Sequence, residues 1–226
     1  DVIRPRTWQE CRDFACFLGG GNPALNDDAP YSMAHYEYVT QMYGDPSAVL
    51  QKYDTIFVDS ITVAGRLCFT HNQNQPEARS ERNGRLDTRA VYGMQGREMM
   101  AWLTHLQHIR EKNVIFVGIL DEKTDEYGRM NYELQIEGSK TGRELPGIVD
   151  EVITMATLAS DEGNMFRAFI CDNLNKWGYP AKDRSGRLEP IEEPHLGKLF
   201  EKMSGPRPEG MQFVNPTTVT IAEGES

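Results

Sequence analysis

Residues 53–60 read Tyr-Asp-Thr-Ile-Phe-Val-Asp-Ser, an apolar run that ends abruptly in a carboxylate and a hydroxyl. Thr55, Ile56, Phe57 and Val58 have high strand propensity and no polar interruption, the pattern of a strand buried on both faces of a parallel sheet. Ligands of open α/β sheets bind beyond the carboxyl ends of strands, so Asp59 falls where chemistry is usually done. A carboxylate there suits a Mg²⁺ ion held through its water shell, with Ser60 placed to feel a phosphate. The competing reading is structural: Asp-Ser is also a good cap for the helix-compatible stretch 61–69. Two further charge clusters stand out. The polar run 71–87 carries Arg79, Arg82 and Arg85 without apolar periodicity, a loop that either tracks a nucleic-acid backbone or is merely solvated. In 181–188, Lys182 and Arg184 are two apart, so an extended backbone puts both cations on one side.

The surrounding elements have to hold these residues in place. Val2 and Ile3 suggest a short strand edge. Thr7 and Glu10 then have capping-box spacing. Trp8, Cys11, Ala15 and Leu18 fall on one helical face, and the glycines at 19–21 stop that helix rather than cradle a phosphate. Residues 22–52 read as an irregular insert with prolines at 23, 30 and 46. Its tyrosine-rich part, 31–43, is either a short surface helix or a platform on which bases stack. The spacing of Met99, Trp102, Leu103, Leu106 and Ile109 predicts an amphipathic helix over 94–112. His105 and His108 on it have no acidic or Cys partner at helical spacing, so they read as exposed histidines rather than metal ligands.

Strands are expected at 114–120, 132–136, 148–155 and 166–171, a turn at 126–129, and a short helix at 196–203. A polar link spans 137–146. It contains Gly, Lys and Thr, but Gly-x-x-x-x-Gly-Lys-Ser/Thr occurs nowhere in the 226 residues. Strands with helices between them imply an α/β fold with a mostly parallel sheet. From Ser204 the composition turns to Pro, Gly and Glu, as in a fraying tail.

The bulk numbers set outer bounds. A chain of 226 residues buries a proper core as one large domain. The four cysteines, Cys11, Cys16, Cys68 and Cys171, have no CxxC spacing and read as buried thiols in a reducing compartment. No apolar stretch reaches membrane-spanning length, so no membrane partner is expected. A net charge of −10 excludes a surface coated in nucleic-acid contacts while leaving room for a local basic strip. The start at Asp1, without an initiator Met, reads as a fragment or a processed product.

Several pieces fall into a known order. The run 53–62 resembles a Walker B strand. Gly142-Arg143-Glu144-Leu145-Pro146-Gly147-Ile148-Val149-Asp150-Glu151-Val152 resembles a stretch of the phage-encoded, RecA-like group of AAA-type nucleotide-binding proteins, some of which are single-strand annealing recombinases. Lys182-Asp183-Arg184-Ser185-Gly186 resembles their Lys-x-Arg hairpin. The resemblance implies a RecA-like P-loop NTPase core over 1–203, interrupted by the insert 22–52, with a mostly parallel sheet flanked by helices, a C-terminal hairpin, and a flexible tail over 204–226. It implies ATP and Mg²⁺ as cofactors, Asp59 as the Mg²⁺-associated acid and Ser60 beside the nucleotide. Lys182 and Arg184 would reach into a neighbouring subunit's site as arginine fingers do. It also implies a homo-oligomeric ring or filament, single-stranded DNA as a partner, a role in recombination or replication, and the cytoplasm of a phage-infected or prophage-carrying bacterial cell. Two departures qualify it. The Walker A loop, which that family carries upstream, is not among these residues, so ATPase activity is expected only when it is present. The strand 114–120 also stays apolar where that family often places a polar sensor. Two rivals remain: a non-catalytic RecA-like module used for assembly or annealing, and a plain α/β binding domain, the latter favoured if the Lys-x-Arg pair is internally salt-bridged.

Overall fold

The computed structural model describes residues 1–124, 127–128, 130–173 and 175–206. The expected turn at 126–129 lies partly outside the described residues, as does the tail beyond residue 206. The chain divides into two compact units: Asp1–Val149 with Lys176–Tyr179, and Asp150–Asn175 with Pro180–Ser226.

The first unit is built on helices. Helix α1 (Trp8–Gly19) starts where Thr7 Oγ1 accepts from Glu10 N at 3.1 Å, while Glu10 reaches back to Arg6 N. It ends at Gly20, whose φ of 79° is open to glycine without strain. Residues 22–52 are less irregular than expected, because Ser32 caps a helix α2 (Met33–Tyr43) and a short α3 (Ser47–Lys52) follows. Tyr43 of α2 stacks on Phe14 of α1, with ring centroids 4.9 Å apart. Val2 and Ile3 are exposed coil and not a strand edge.

Strand β1 (Thr55–Asp59) is followed at once by α4 (Ile61–Gln73), a short 3-10 turn (Pro76–Ala78) and the 20-residue α5 (Thr88–Gln107). Helix α5 begins earlier than the apolar periodicity suggests because Asp87 accepts from Arg89 N and Ala90 N. Its buried stripe comprises Val91, Gln95, Met99, Trp102, Leu103 and Leu106. His105 is half-buried, not exposed as expected, with its ring stacked on Tyr31 at 4.4 Å. Helices α4 and α5 approach closely at Gly65, whose carbonyl accepts from Gln95 Nε2 at 3.3 Å; a Cβ there would stand 3.2 Å from Ile136.

β1 pairs in parallel with β2 (Asn113–Val117), Phe57 opposite Ile115 and Asp59 opposite Val117. Ile56, Val58, Val114 and Phe116 pack on the helical core. Phe57 is 53% exposed, so among the described residues β1 is covered on one face only, against the expectation of burial on both. The expected strand 114–120 breaks at Gly118. From Leu120 the chain forms β3 (Leu120–Thr124), which pairs antiparallel with β4 (Met130–Leu134). The expected polar link becomes helix α6 (Ser139–Ile148), because Thr141 and Leu145, four apart, both bury.

In the second unit, β5 (Glu151–Val152) pairs antiparallel with β8 (Lys182–Asp183). β6 (Thr154–Ala159), β7 (Met165–Ile170) and β9 (Ile191–Glu192) form an antiparallel three-stranded sheet. Phe169, Leu188 and Leu199 of α7 (Leu196–Ser204) make its core. Among the described strands, parallel pairing is thus confined to β1 and β2, which differs from the mostly parallel sheet expected. The reason is connection length. The short turn at 160–164 can close only an antiparallel pair, whereas parallel strands need a crossover of about a dozen residues or more.

The seam between α1 and α5 carries two buried tryptophans. Trp102 is 4% exposed, its Nε1 donates to Cys11 O at 3.0 Å, and its ring lies 5.6 Å from that of Trp8. Trp102→Ala is expected to destabilise the unit by about 3–5 kcal/mol, read as a shifted denaturation midpoint. A loss below about 1 kcal/mol would show that this seam is not a core.

Candidate functional site

Asp59 is the last residue of β1, and its side chain is exposed where the parallel pair ends. Among the described residues, no hydrogen bond or ion pair engages its carboxylate. The peptide bond to Ser60 is cis. Ser60 is the N-cap of α4, its Oγ accepting from Val63 N at 3.3 Å, so the capping role weighed for this hydroxyl is occupied. Thr62, 1% exposed, accepts from Ile119 N at 3.3 Å and ties the first turn of α4 to the chain just past β2.

A lone exposed carboxylate with free lone pairs fits Mg²⁺, which keeps several waters and takes one or two protein carboxylates plus phosphate oxygens. No group of three or more His, Cys, Asp or Glu side chains that could hold a metal ion occurs among the described residues. The chain's fit to a triphosphate is poorer. No phosphate loop is present to offer a cradle of backbone N–H groups and a lysine.

Arg79, Arg82 and Arg85 are exposed on a loop that is tied rather than free. Ser80 N donates to Arg85 O, Gly84 N to Ser80 O, and Asp87 N to Ala78 O, each at 2.8 Å. Gly84 turns this loop with a φ of 66°. Arg89, exposed in the first turn of α5, adds a fourth cation that the sequence reading passed over. Glu81 and Asp87 interleave with the arginines, so the local excess of positive charge is small.

Lys182 and Arg184 sit in the second unit, at and just beyond β8. Arg184 N donates to Asp150 O at 3.2 Å, and its guanidinium holds the Asp150 carboxylate at 2.5 Å. Asp150 comes alongside this pair through the β5–β8 pairing. Both side chains of that ion pair are more than half exposed. A surface pair of this kind is worth about 0.2–1 kcal/mol. The other side of the turn is built differently. Asp183 accepts from Ser185 Oγ and from the backbone N–H groups of Gly186, Arg187 and Leu188, at 2.6–3.0 Å. Burial works against its charge, but the bonds from Ser185, Leu188, Glu151 and Gly186 outweigh it and hold the carboxyl below its ordinary value. Glu151, opposite in the register, is pushed up to about 7 by burial first and then by its bond to Asp183 and that residue's charge. Sequence reasoning missed Asp150 and Glu151 as parts of this cluster. The only signal was two acids in a short apolar stretch, and nothing in it fixes a register with residues some thirty positions later.

Over residues 1–185 the chain matches the family described as "AAA domain". The chain belongs to that family. No curated protein and no solved structure matches it. Membership makes this an AAA-type, P-loop NTPase-like α/β domain of a nucleotide-binding, ATPase-like kind, and domains of this type usually work with Mg²⁺. The matched span takes in Asp59, the arginine loop, Lys182 and Arg184. Among the described residues, no helix of this AAA-domain protein is long and apolar enough to cross a membrane.

The 226-residue chain by itself is expected to bind ATP·Mg²⁺ more weakly than micromolar, because most of the charge compensation for a triphosphate is missing. Isothermal titration checks this, and micromolar affinity would mean that other residues supply the cradle.

Proposed function

We propose that this AAA-domain protein is the RecA-like ATPase core of a phage-encoded protein that acts in DNA recombination or replication. It would work as a ring or filament in the cytoplasm of the infected or prophage-carrying bacterial cell. The observation that carries this reading is the exposed, unengaged Asp59 carboxylate at the carboxyl end of a parallel strand, the place where α/β folds receive ligands. The reaction is hydrolysis of the terminal phosphoanhydride, in which water adds to the γ-phosphorus and ADP leaves. Mg²⁺ bound with the nucleotide would neutralise charge developing on the phosphates. Asp59 would hold that ion, and Ser60 keeps the first turn of α4 in place beside it. Lys182 and Arg184 reach the γ-phosphate of a neighbouring subunit. To do so, Arg184 exchanges its exposed bond to Asp150 for a phosphate oxygen, a small loss against a charge-assisted gain. The phosphate loop itself has to come from sequence outside these residues. Arg79, Arg82 and Arg85 offer contacts to the backbone of single-stranded DNA.

A second reading has its own support. These residues hold no phosphate loop, as suits a RecA-like module that assembles or anneals strands without hydrolysing ATP, while the Arg184–Asp150 ion pair keeps the plain α/β binding domain in play. An in-frame Gly-x-x-x-x-Gly-Lys-Ser/Thr upstream favours the enzyme.

In the protein carrying its phosphate loop, Asp59→Ala and Arg184→Ala are each expected to lower hydrolysis by roughly 10³-fold or more, with nucleotide binding nearly unchanged for Arg184→Ala. Mixing the two inactive variants should restore part of the activity, because some interfaces then pair an intact Asp59 with an intact Arg184. No recovery in mixtures shown to co-assemble would remove the fingers from the mechanism.

A further inference from the structure

We propose that Asp183, with Glu151 as its cross-strand partner, is the positioning residue that fixes the turn presenting Lys182 and Arg184. The proposal rests on the reading that this pair acts on a neighbour's phosphate, and it goes beyond it by naming what holds the pair in place and what loosens it.

The geometry is one carboxylate organising six residues of chain. Asp183 Oδ1 takes Ser185 Oγ at 2.6 Å and Gly186 N at 3.0 Å; Oδ2 takes Arg187 N at 2.9 Å and Leu188 N at 2.8 Å. Three consecutive backbone N–H groups thus converge on one side chain. Arg187 anchors the far end, its guanidinium donating to Met203 O at 2.7 Å in the last turn of α7. Lys182 and Asp183 point to opposite sides of β8, and Arg184 follows in the bend that the bonds to Asp183 close.

Glu151 completes the clamp. It faces Asp183 in the β5–β8 register, its Oε1 accepts from Ser185 N at 3.3 Å, and its Oε2 is buried with no donor among the described residues. Asp183, saturated with four donors, keeps its charge, and that charge opposes ionisation of Glu151 across the register. Burial is the largest cause of Glu151's high value, about 7, and Asp183 adds to it. Around the pair stand Asp150, Lys182, Arg184 and Arg187 on the two chain segments, Cys171 beyond β7, Glu192 of β9 and Lys202 of α7. Lys202 is held by Glu192, and Arg184 by Asp150. The sign follows. A carboxyl whose folded value exceeds its ordinary 4.5 contributes fully below 4.5, and that contribution is lost as pH rises through about 7. The clamp is tight in mild acid and loosens across neutral pH.

Amide exchange at Gly186, Arg187 and Leu188 in the whole chain, expressed as protection factors from pH 5.5 to 8.5, reads the clamp without any nucleotide. Protection is expected to fall by about tenfold or more across pH 7, since one unit of titration is worth about a tenfold change. Glu151→Gln, which cannot ionise beside the Asp183 charge, should stay protected throughout. Asp183→Asn should be poorly protected at every pH. A Glu151 that titrates near 4.5, or a Glu151→Gln chain that loses protection as the parent does, overturns the proposal. In the assembled ATPase, Asp183→Asn should lower kcat with little change in KM for ATP, and Glu151→Gln should remove a decline in kcat near pH 7. If Asp183→Asn hydrolyses ATP at the parental rate while Arg184→Ala does not, the positioning role fails and the finger reading stands. If both are parental, it is the finger reading that fails.

Discussion

Two indole N–H groups set the frame from which Asp59 is presented. An indole can only donate, so a buried Trp has to meet an acceptor or leave a costly orphan. Trp102 Nε1 meets the carbonyl of Cys11, and Trp8 Nε1 meets Glu98 at 2.8 Å, each bond running between α1 and α5. The helices are thereby fixed in register as well as in contact. The Trp102 ring also lies 6.5 Å from Phe116 of β2, whose neighbour in the sheet is β1. The position of the Asp59 carboxylate is therefore inherited from helix packing more than ten residues away in sequence. Glu98 takes a second donor, Arg12, at 3.4 Å, so its charge is not left bare beside the tryptophans.

What was legible in the residues was what local physics decides. The Thr7 cap, the apolar stripe of α5 and the strand ending in Asp59 each rest on contacts within a few positions, and each is found. The cysteines read as buried thiols; Cys11, Cys16 and Cys68 are buried, with their pKa values pushed well up chiefly by burial, while Cys171 is only half-buried. Less legible was anything set by partners distant in sequence. The apolar run 55–58 suggested burial on two faces, yet Phe57 is left open because covering depends on what packs above a sheet, not on the strand itself. The run 137–146 looked like a link since its glycines and charges mask a period of four, visible only once Thr141 and Leu145 are seen to bury.

The candidate site divides the same way. Asp59 and Ser60 are adjacent, and their placement follows from a strand meeting a helix, so both roles weighed for them were readable; the structure gives Ser60 its cap and leaves Asp59 unengaged. The acids around Lys182 and Arg184 were not readable. Asp150 and Glu151 lie in a stretch whose composition favours a strand, but pairing Glu151 with Asp183 is a register, and a slip by one residue would send Asp150 rather than Glu151 to face Asp183.

That register separates two electrostatic regimes a residue apart. On one side, Arg184 and Asp150 meet in the open, where water and salt screen the pair and holding long side chains costs entropy, so their bond is easily exchanged. On the other, Asp183 sits among fixed donors, and removing its charge would orphan several N–H groups at once, each costing about 1–3 kcal/mol if left unsatisfied away from water. The stiff side therefore sets where the cations stand, and the loose side lets Arg184 leave. In the role proposed for Arg184, a cation that finds a phosphate on another subunit needs both properties. A rigid base limits the orientations searched on docking, while a weakly held guanidinium has little to lose when the anion arrives. If Arg184 were buried with Asp150, breaking the pair would leave an uncompensated charge, and any gain from the phosphate would first have to offset it.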